Sequence, residues 1–188
     1  PNIFAARAAP IQVNYLGYPG TLGMPAMDYL IADPVLVPTS RRGDYSEKIA
    51  LLPSYQVNDW RRVLPHAAIS RTAYGLPAEG VVFCGFNGAY KTTPQVFDVW
   101  MRLLHKVEGS VLWLRASSIP AMSNLRKEAE RRGVAADRLI FAGVVSMAEH
   151  MARQQAADLF LDTFTYNAHT TASDALWAGL PVVTLLGE

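Results

Sequence analysis

Ala157-Asp158-Leu159-Phe160-Leu161, then Asp162-Thr163-Phe164-Thr165-Tyr166-Asn167-Ala168-His169-Thr170-Thr171-Ala172-Ser173-Asp174-Ala175-Leu176-Trp177-Ala178-Gly179-Leu180, then Pro181-Val182-Val183-Thr184-Leu185-Leu186: this stretch decides the fold. The run from Ala157 to Leu161 has the apolar composition of a buried strand, and Pro181 to Leu186 has that of the next. Between them lie a polar loop and a short helix. In a strand-loop-helix-strand unit the helix N-terminus faces the carboxyl edge of a parallel sheet, and its unpaired N–H groups form an anion site. The residue types suit a phosphate: Thr170 and Thr171 bring small hydroxyls, His169 a donor, and Asp174 an acceptor for a sugar hydroxyl. A second reading stays open at this point. Thr171 and Asp174 have the T-x-x-D spacing of a variant capping box, with His169 at the surface.

Working outward, the 188 residues carry 51% hydrophobic content and a net charge of +1. That is ample for a buried core and argues against a broad nucleic-acid footprint. Arg126-Lys127 and Arg131-Arg132 read as a solvated helix face. The single cysteine, Cys84, lies in an apolar run and cannot form an internal disulfide, which fits a reducing cytoplasm. No apolar run has the length of a bilayer span. The chain starts Pro1-Asn2-Ile3-Phe4 and ends just after an apolar strand, so it is expected to be a segment of a longer chain.

Upstream, Ile11 to Leu16 reads as a short strand entering the turn Gly17-Tyr18-Pro19-Gly20-Thr21, rich in residues that tolerate unusual backbone angles. Asp28 to Asp33 reads as a second strand, broken at Asp33-Pro34. After a looser stretch, Val35 to Asp44, Ser46-Glu47-Lys48 is expected to form a helical turn and Ile49 to Leu52 a strand. Periodicity fades between Ser54 and His66, which places a junction there. Trp60-Arg61-Arg62 reads as an ordinary linker, with a partner-facing role as the alternative.

The second half alternates strands and helices. Val81 to Phe86 is a buried strand, followed by the loop Asn87-Gly88-Ala89-Tyr90-Lys91. A helix then starts with Thr93 as N-cap and Pro94 in its first position, and Val96, Val99, Trp100, Leu103 and Leu104 form its apolar face. Lys91 thus lies between a strand's carboxyl end and a helix start, where a mobile cation reaches a diphosphate; a solvated charge is the bland alternative. Val111 to Leu114 is the next strand, Ser123 to Arg132 a charged amphipathic helix stopped by Gly133, and Leu139 to Ala142 a further strand. Ser146-Met147-Ala148-Glu149 has capping-box spacing and opens a helix with His150 and Arg153 on one face. The pattern as a whole predicts two Rossmann-like α/β lobes with a ligand between them.

The run from Asn167 to Glu188 closely resembles the nucleotide-sugar loop of the protein O-GlcNAc transferase family, with its H-T-T-x-x-D-x-L-W-x-G-x-P-x-V-T string. Ala9-Pro10-Ile11-Gln12-Val13-Asn14-Tyr15-Leu16-Gly17-Tyr18-Pro19-Gly20-Thr21 is a second match. Others run through Asp28-Tyr29, Tyr45-Ser46-Glu47-Lys48, Tyr74-Gly75-Leu76-Pro77, Phe86-Asn87, Tyr90-Lys91 and Ser110 to Leu114. The resemblance implies a glycosyltransferase B fold, with residues 1–66 the end of the N-terminal catalytic lobe and 67–188 an incomplete C-terminal nucleotide-sugar lobe. It implies inverting transfer of N-acetylglucosamine from UDP-GlcNAc to Ser or Thr hydroxyls of acceptor proteins. The resemblance also implies tetratricopeptide repeats ahead of these lobes; no cofactor or metal is expected if Lys91 and the helix N-terminus share the diphosphate charge, and charge and hydropathy lead to no expected nucleic-acid or membrane partner.

By the same resemblance, Lys91 and His169 are the catalytic candidates. Lys91, His169, Thr170 and Thr171 hold the diphosphate, Asp174 the ribose, and His150 with Arg153 the base, while Leu16, Gly17 and Pro19 line the donor site from the first lobe. Three departures stand out. Gly88 replaces a glutamine that contacts the nucleotide sugar in animal members, and Met147 replaces a lysine whose backbone touches the base. The large domain that animal members insert near residue 66 has no counterpart here, as in bacterial-type relatives. No general base is apparent. Two other functions fit less well: fucose transfer from GDP-fucose, which His169 and Asp174 argue against although Gly88 weakens the case for a uridine donor, and a non-catalytic scaffold, which the joint presence of Lys91, His169 and Asp174 opposes.

Overall fold

The computed structural model describes residues 2–57, 59–64 and 69–187. The chain divides into two compact units, Pro1–Asn58 and Asp59–Glu188. The lobe boundary expected at residues 66 and 67 lies outside the described residues.

Among the described residues the first unit has a single α-helical turn, α1 (Asn2–Ala5), and three short parallel strands in the order β1-β2-β3: Val13–Asn14, Tyr29–Ala32 and Lys48–Leu51. Leu30, Ala32 and Val37 form its small core. The strand expected over Ile11 to Leu16 is cut to two residues because the chain turns at once. Leu16 adopts a positive φ of 59°, and Asn14 Nδ2 donates to the Tyr18 carbonyl at 2.9 Å, closing the loop. Ser46-Glu47-Lys48 is not a helical turn. Glu47 is buried and accepts from Thr21 Oγ1 at 2.6 Å and from the Leu22 amide at 2.7 Å, and Lys48 already belongs to β3. The turn of helix falls instead on Thr39–Asp44, within the stretch read as loose.

Among the described residues the second unit holds five parallel strands: β4 (Val82–Gly85), β5 (Val111–Arg115), β6 (Leu139–Ala142), β7 (Leu159–Leu161) and β8 (Val182–Val183), in the order β6-β5-β4-β7-β8. Among the described residues its α-helices are α2 (Pro94–Lys106), α3 (Ile119–Arg131), α4 (Met147–Arg153) and α5 (Thr170–Trp177). Apolar side chains cover both faces of the sheet, as all-parallel sheets require. Val82 and Cys84 pack with Trp113, Phe160 and Ala175 on one side; Phe83 packs with Leu112, Trp100 and Leu104 on the other. Burial pushes the Cys84 thiol far above its ordinary pKa, so it is an inert core residue.

Caps explain the helix starts. Thr93 Oγ1 accepts from the Val96 amide at 3.4 Å with Pro94 just inside α2, and Ser146 Oγ accepts from the Glu149 amide at 3.3 Å at the head of α4. Two boundaries and faces differ from the pattern. The core face of α2 takes in Phe97 and Met101, while Val99 and Leu103 are only half-buried, because the helix packs between strands and α3 over a wider arc. And α3 starts at Ile119, not Ser123, since Ser118 Oγ caps the Ala121 amide and Pro120 is tolerated in a first turn. Its arginines are tied to carboxylates, Arg132 Nε to Asp98 at 2.6 Å and Nη1 to Glu128 at 2.5 Å. Among the described residues no helix is long and apolar enough to cross a membrane.

Candidate active site at the strand switch point

The strand order reverses at β4: β5 and β6 lie to one side, β7 and β8 to the other. Open α/β sheets bind ligands outside the carboxyl ends of the strands at such a switch. Here the loops leaving β4 and β7 meet, carrying Asn87 and Lys91 on one and residues 162–169 on the other.

The second loop is organised around a buried carboxylate. Asp162 Oδ1 accepts from the amides of Thr163 and Ala168, both at 2.7 Å, and from Asn87 Nδ2 at 3.0 Å. Its Oδ2 accepts from Thr184 Oγ1 at 2.7 Å and Asn167 Nδ2 at 3.2 Å. Thr165 is held at φ +92°, a conformation costly for a β-branched residue and sustained by this surrounding network. Asn87 links the two loops: while donating to Asp162, it accepts from Thr171 Oγ1 at 2.6 Å.

The start of α5 removes the capping-box reading of Thr171 and Asp174. The Thr171 hydroxyl is committed to Asn87, and α5 begins after His169, whose side chain makes no capping bond, so no capping box forms. The first backbone bond of α5 runs from the Ser173 amide to the His169 carbonyl at 3.0 Å. The amides of Thr170, Thr171 and Ala172 therefore precede the intrahelical ladder.

Lys91 and His169 meet around one ring. Lys91 Nζ donates to the Asn167 carbonyl at 2.8 Å and lies 4.0 Å from the Tyr166 centroid, and the His169 ring meets Tyr166 edge-on at 5.6 Å. Burial lowers the Lys91 pKa. Burial, and then the Lys91 charge, lower that of His169, which favours a neutral imidazole at pH 7.

Beside this cluster is a cavity of about 310 Å³ lined by His150, Arg153, Thr171 and Asp174, with Phe86, Arg115, Val144 and Met147. Arg153 is buried, donating from Nη1 to the Gly143 carbonyl at 2.7 Å and from Nε to His150 Nδ1 at 3.1 Å, with its guanidinium 5.0 Å from the Phe86 centroid. Because His150 Nδ1 accepts, the ring proton sits on Nε2, and burial followed by the Arg153 charge keeps its pKa low. Asp174 is almost fully buried and pairs with the Arg62 guanidinium.

The structure thus places His150, Arg153, Thr171 and Asp174 around one cavity. Lys91 and His169 cluster beside it, outside its lining, and Thr170 opens the helix between. Leu16, Gly17 and Pro19 belong to the first unit, in the loop that Asn14 closes. Sequence reasoning missed three participants. Asn87 carries no local pattern that marks it, since its partners lie 75 to 84 residues away. Arg115 is the exposed last residue of the otherwise buried β5, and a charge ending an apolar run is a signal that could have singled it out. Arg62, taken for linker, is fixed to α5, a pairing that no local pattern announces.

The profile of glycosyl transferase family 41 matches residues 1–69 and 67–188. The chain is 41% identical over 190 residues to a probable UDP-N-acetylglucosamine–peptide N-acetylglucosaminyltransferase, SEC, of Arabidopsis thaliana, covering 98% of this chain and 19% of that protein. It is 26% identical over 296 aligned residues to the UDP-N-acetylglucosamine–peptide N-acetylglucosaminyltransferase of Caenorhabditis elegans, covering 98% and 26%. Since 296 exceeds the 188 residues here, that relative carries a long insertion within the matched span. Among solved structures, a lysine-to-methionine mutant of the Thermobaculum terrenum O-GlcNAc transferase superposes with a TM-score of 0.82 at 34% identity, covering 98% of this chain and 35% of that one. This chain therefore spans about a fifth to a quarter of the length of the two curated relatives.

Proposed function

The chain belongs to glycosyl transferase family 41, and from that premise we propose that it supplies the nucleotide-sugar site of an enzyme transferring N-acetylglucosamine from UDP-GlcNAc to Ser or Thr hydroxyls of peptides. Its fold is of the glycosyltransferase B type. The observation that carries the proposal is the pairing, at one switch point, of a cavity bearing Arg153, His150 and Asp174 with an adjoining cation, Lys91, at the head of α5.

Each group has a task. Phe86, His150 and Arg153 offer a flat, donor-rich wall to the uracil, and Asp174 accepts from the ribose. The acceptor oxygen attacks the anomeric carbon as the bond to the diphosphate oxygen breaks; the electron pair leaves with UDP, and the hydroxyl proton passes to the departing phosphate or to water. Lys91, released from the Asn167 carbonyl, and the first amides of α5 meet that charge, stabilising the transition state more than the ground state. His169 donates a hydrogen bond to the same phosphates. No metal ion is assigned to the step, and no residue of this chain is assigned as general base.

Calorimetric titration of the full-length protein with UDP, UDP-GlcNAc, GDP and GDP-fucose tests the reading. Binding of the uridine pair alone is expected. Preference for the guanosine pair would replace the donor, and failure to bind any of the four would overturn the proposal.

A further inference from the structure

We infer that Arg62 is a positioning residue of the nucleotide site, holding the Asp174 carboxylate in the orientation from which it accepts from ribose hydroxyls. The inference rests on the proposed uridine-nucleotide reading of the cavity.

Asp174 lines the cavity yet is only 3% exposed. A carboxylate so buried requires a cation or several donors, and the Arg62 guanidinium provides the cation through Oδ1. The oxygen left over, Oδ2, belongs to the same cavity-lining group and is the acceptor available to a ligand. Arg62 is fixed to α5 a second time, where Trp177 Nε1 donates to its carbonyl at 3.2 Å. Asp174 and Trp177 are three residues apart, on one side of the helix, so backbone and side chain of residue 62 are clipped to a single helical face.

The neighbouring arginine makes a natural control. Arg61 donates from its amide and its Nε to Asp59 Oδ1, both at 3.0 Å, and its side chain is 73% exposed. The Arg62 amide bonds the Asp59 carbonyl at 3.0 Å, closing a turn. That turn sends Arg62 towards α5 and leaves Arg61 in solvent. Two adjacent arginines of equal charge therefore separate the effect of general electrostatics from that of the Asp174 contact.

The test is calorimetric titration of full-length wild type, Arg62→Ala, Arg62→Lys and Arg61→Ala with UDP and with 2′,3′-dideoxy-UDP, which lacks the hydroxyls that Asp174 would accept from. Wild type is expected to bind UDP more tightly than the dideoxy analogue. Arg62→Ala should weaken UDP about tenfold or more, the range for a hydrogen bond to a charged group, and leave dideoxy-UDP unchanged. Arg62→Lys should fall between, having charge but no fork, and Arg61→Ala should match wild type for both ligands. If Arg62→Ala shows no cooperative thermal transition, Arg62→Lys carries the comparison. Equal loss for both nucleotides, no loss for UDP, or an Arg61→Ala effect as large as that of Arg62→Ala would overturn the inference while leaving the proposed function standing. Failure of wild type to bind either nucleotide would overturn both.

Discussion

Arg153 and Lys91 are both cations at the same switch point, and the fold treats them differently. Arg153 is 5% exposed, bonded to the Gly143 carbonyl and His150 and stacked near Phe86. Lys91 is half-buried and rests on one carbonyl and one aromatic face. The first is a component of the packed interior and is in place before any ligand arrives. The second occupies a position that it can leave at the cost of a single hydrogen bond and a cation–π contact, worth on the order of 1 kcal/mol each. A wall that recognises a base gains from rigidity, whereas a group that follows charge along a breaking bond gains from freedom.

The largest effect should come from the mobile cation. Lys91→Met is expected to reduce turnover on an acceptor peptide by about 100- to 1,000-fold, the range for removing one preorganised charge-stabilising group. UDP affinity, measured by calorimetry, should fall by less than about tenfold, and unfolding free energy should fall by about 1 kcal/mol at most, since methionine gives up the bond to the Asn167 carbonyl but keeps contact with the Tyr166 ring. Near-normal turnover would remove Lys91 from the mechanism. A large loss of stability would show that it is a structural cation like Arg153, and the contrast would collapse.

Arg153→Ala should do the reverse. By orphaning the Gly143 carbonyl it is expected to cost about 2 kcal/mol in urea denaturation, with a loss of UDP affinity alongside. If binding suffered while stability stayed intact, Arg153 would be a ligand contact and no part of the core.

The smallest effect is on pH dependence. Burial depresses both His150 and His169. As pH falls through about 6.5 the unfolded chain takes up protons that the folded one refuses, so stability is full above that value and is lost as pH drops towards the lowered folded values. The melting temperature should fall by less than about 4 °C per histidine between pH 7.5 and 5.5, a shift of about 1 kcal/mol in a chain of this size. His150→Gln and His169→Gln should each flatten the slope. UDP should flatten it further only in proteins that retain His169, because a bound diphosphate favours the imidazolium on the Lys91 side.

How much of this was legible depended on how far apart the partners lie in the chain. The strand-loop-helix-strand of residues 157–186 is written in local composition, and its elements appear in that order, although β8 shrinks to Val182–Val183. His150 and Arg153 share a helical face by spacing alone, and their bond follows from it. By contrast, Thr171 finds Asn87 from 84 residues away and Asp174 finds Arg62 from 112. Neither pairing has a periodic trace. The false capping box arose because T-x-x-D spacing cannot reveal that both side chains are already engaged elsewhere. Strand order is equally silent in the sequence: parallel strands joined by helices permit several orders, and the reversal at β4 that creates the site is a tertiary outcome.

Gly88 has a consequence for how this site can diversify. Its backbone, at φ −59° and ψ 138°, suits any amino acid, and what fills the space of a side chain there is the Tyr90 ring, 2.5 Å from where a Cβ would stand. Tyr90 is 77% exposed and free to swing outward. The glycine is therefore kept by a neighbour's rotamer and by no demand of the chain path. A lineage could enlarge residue 88 in a single mutational step, gaining a polar arm over the switch point with no intermediate that misfolds, and the two positions would then be expected to evolve as a linked pair.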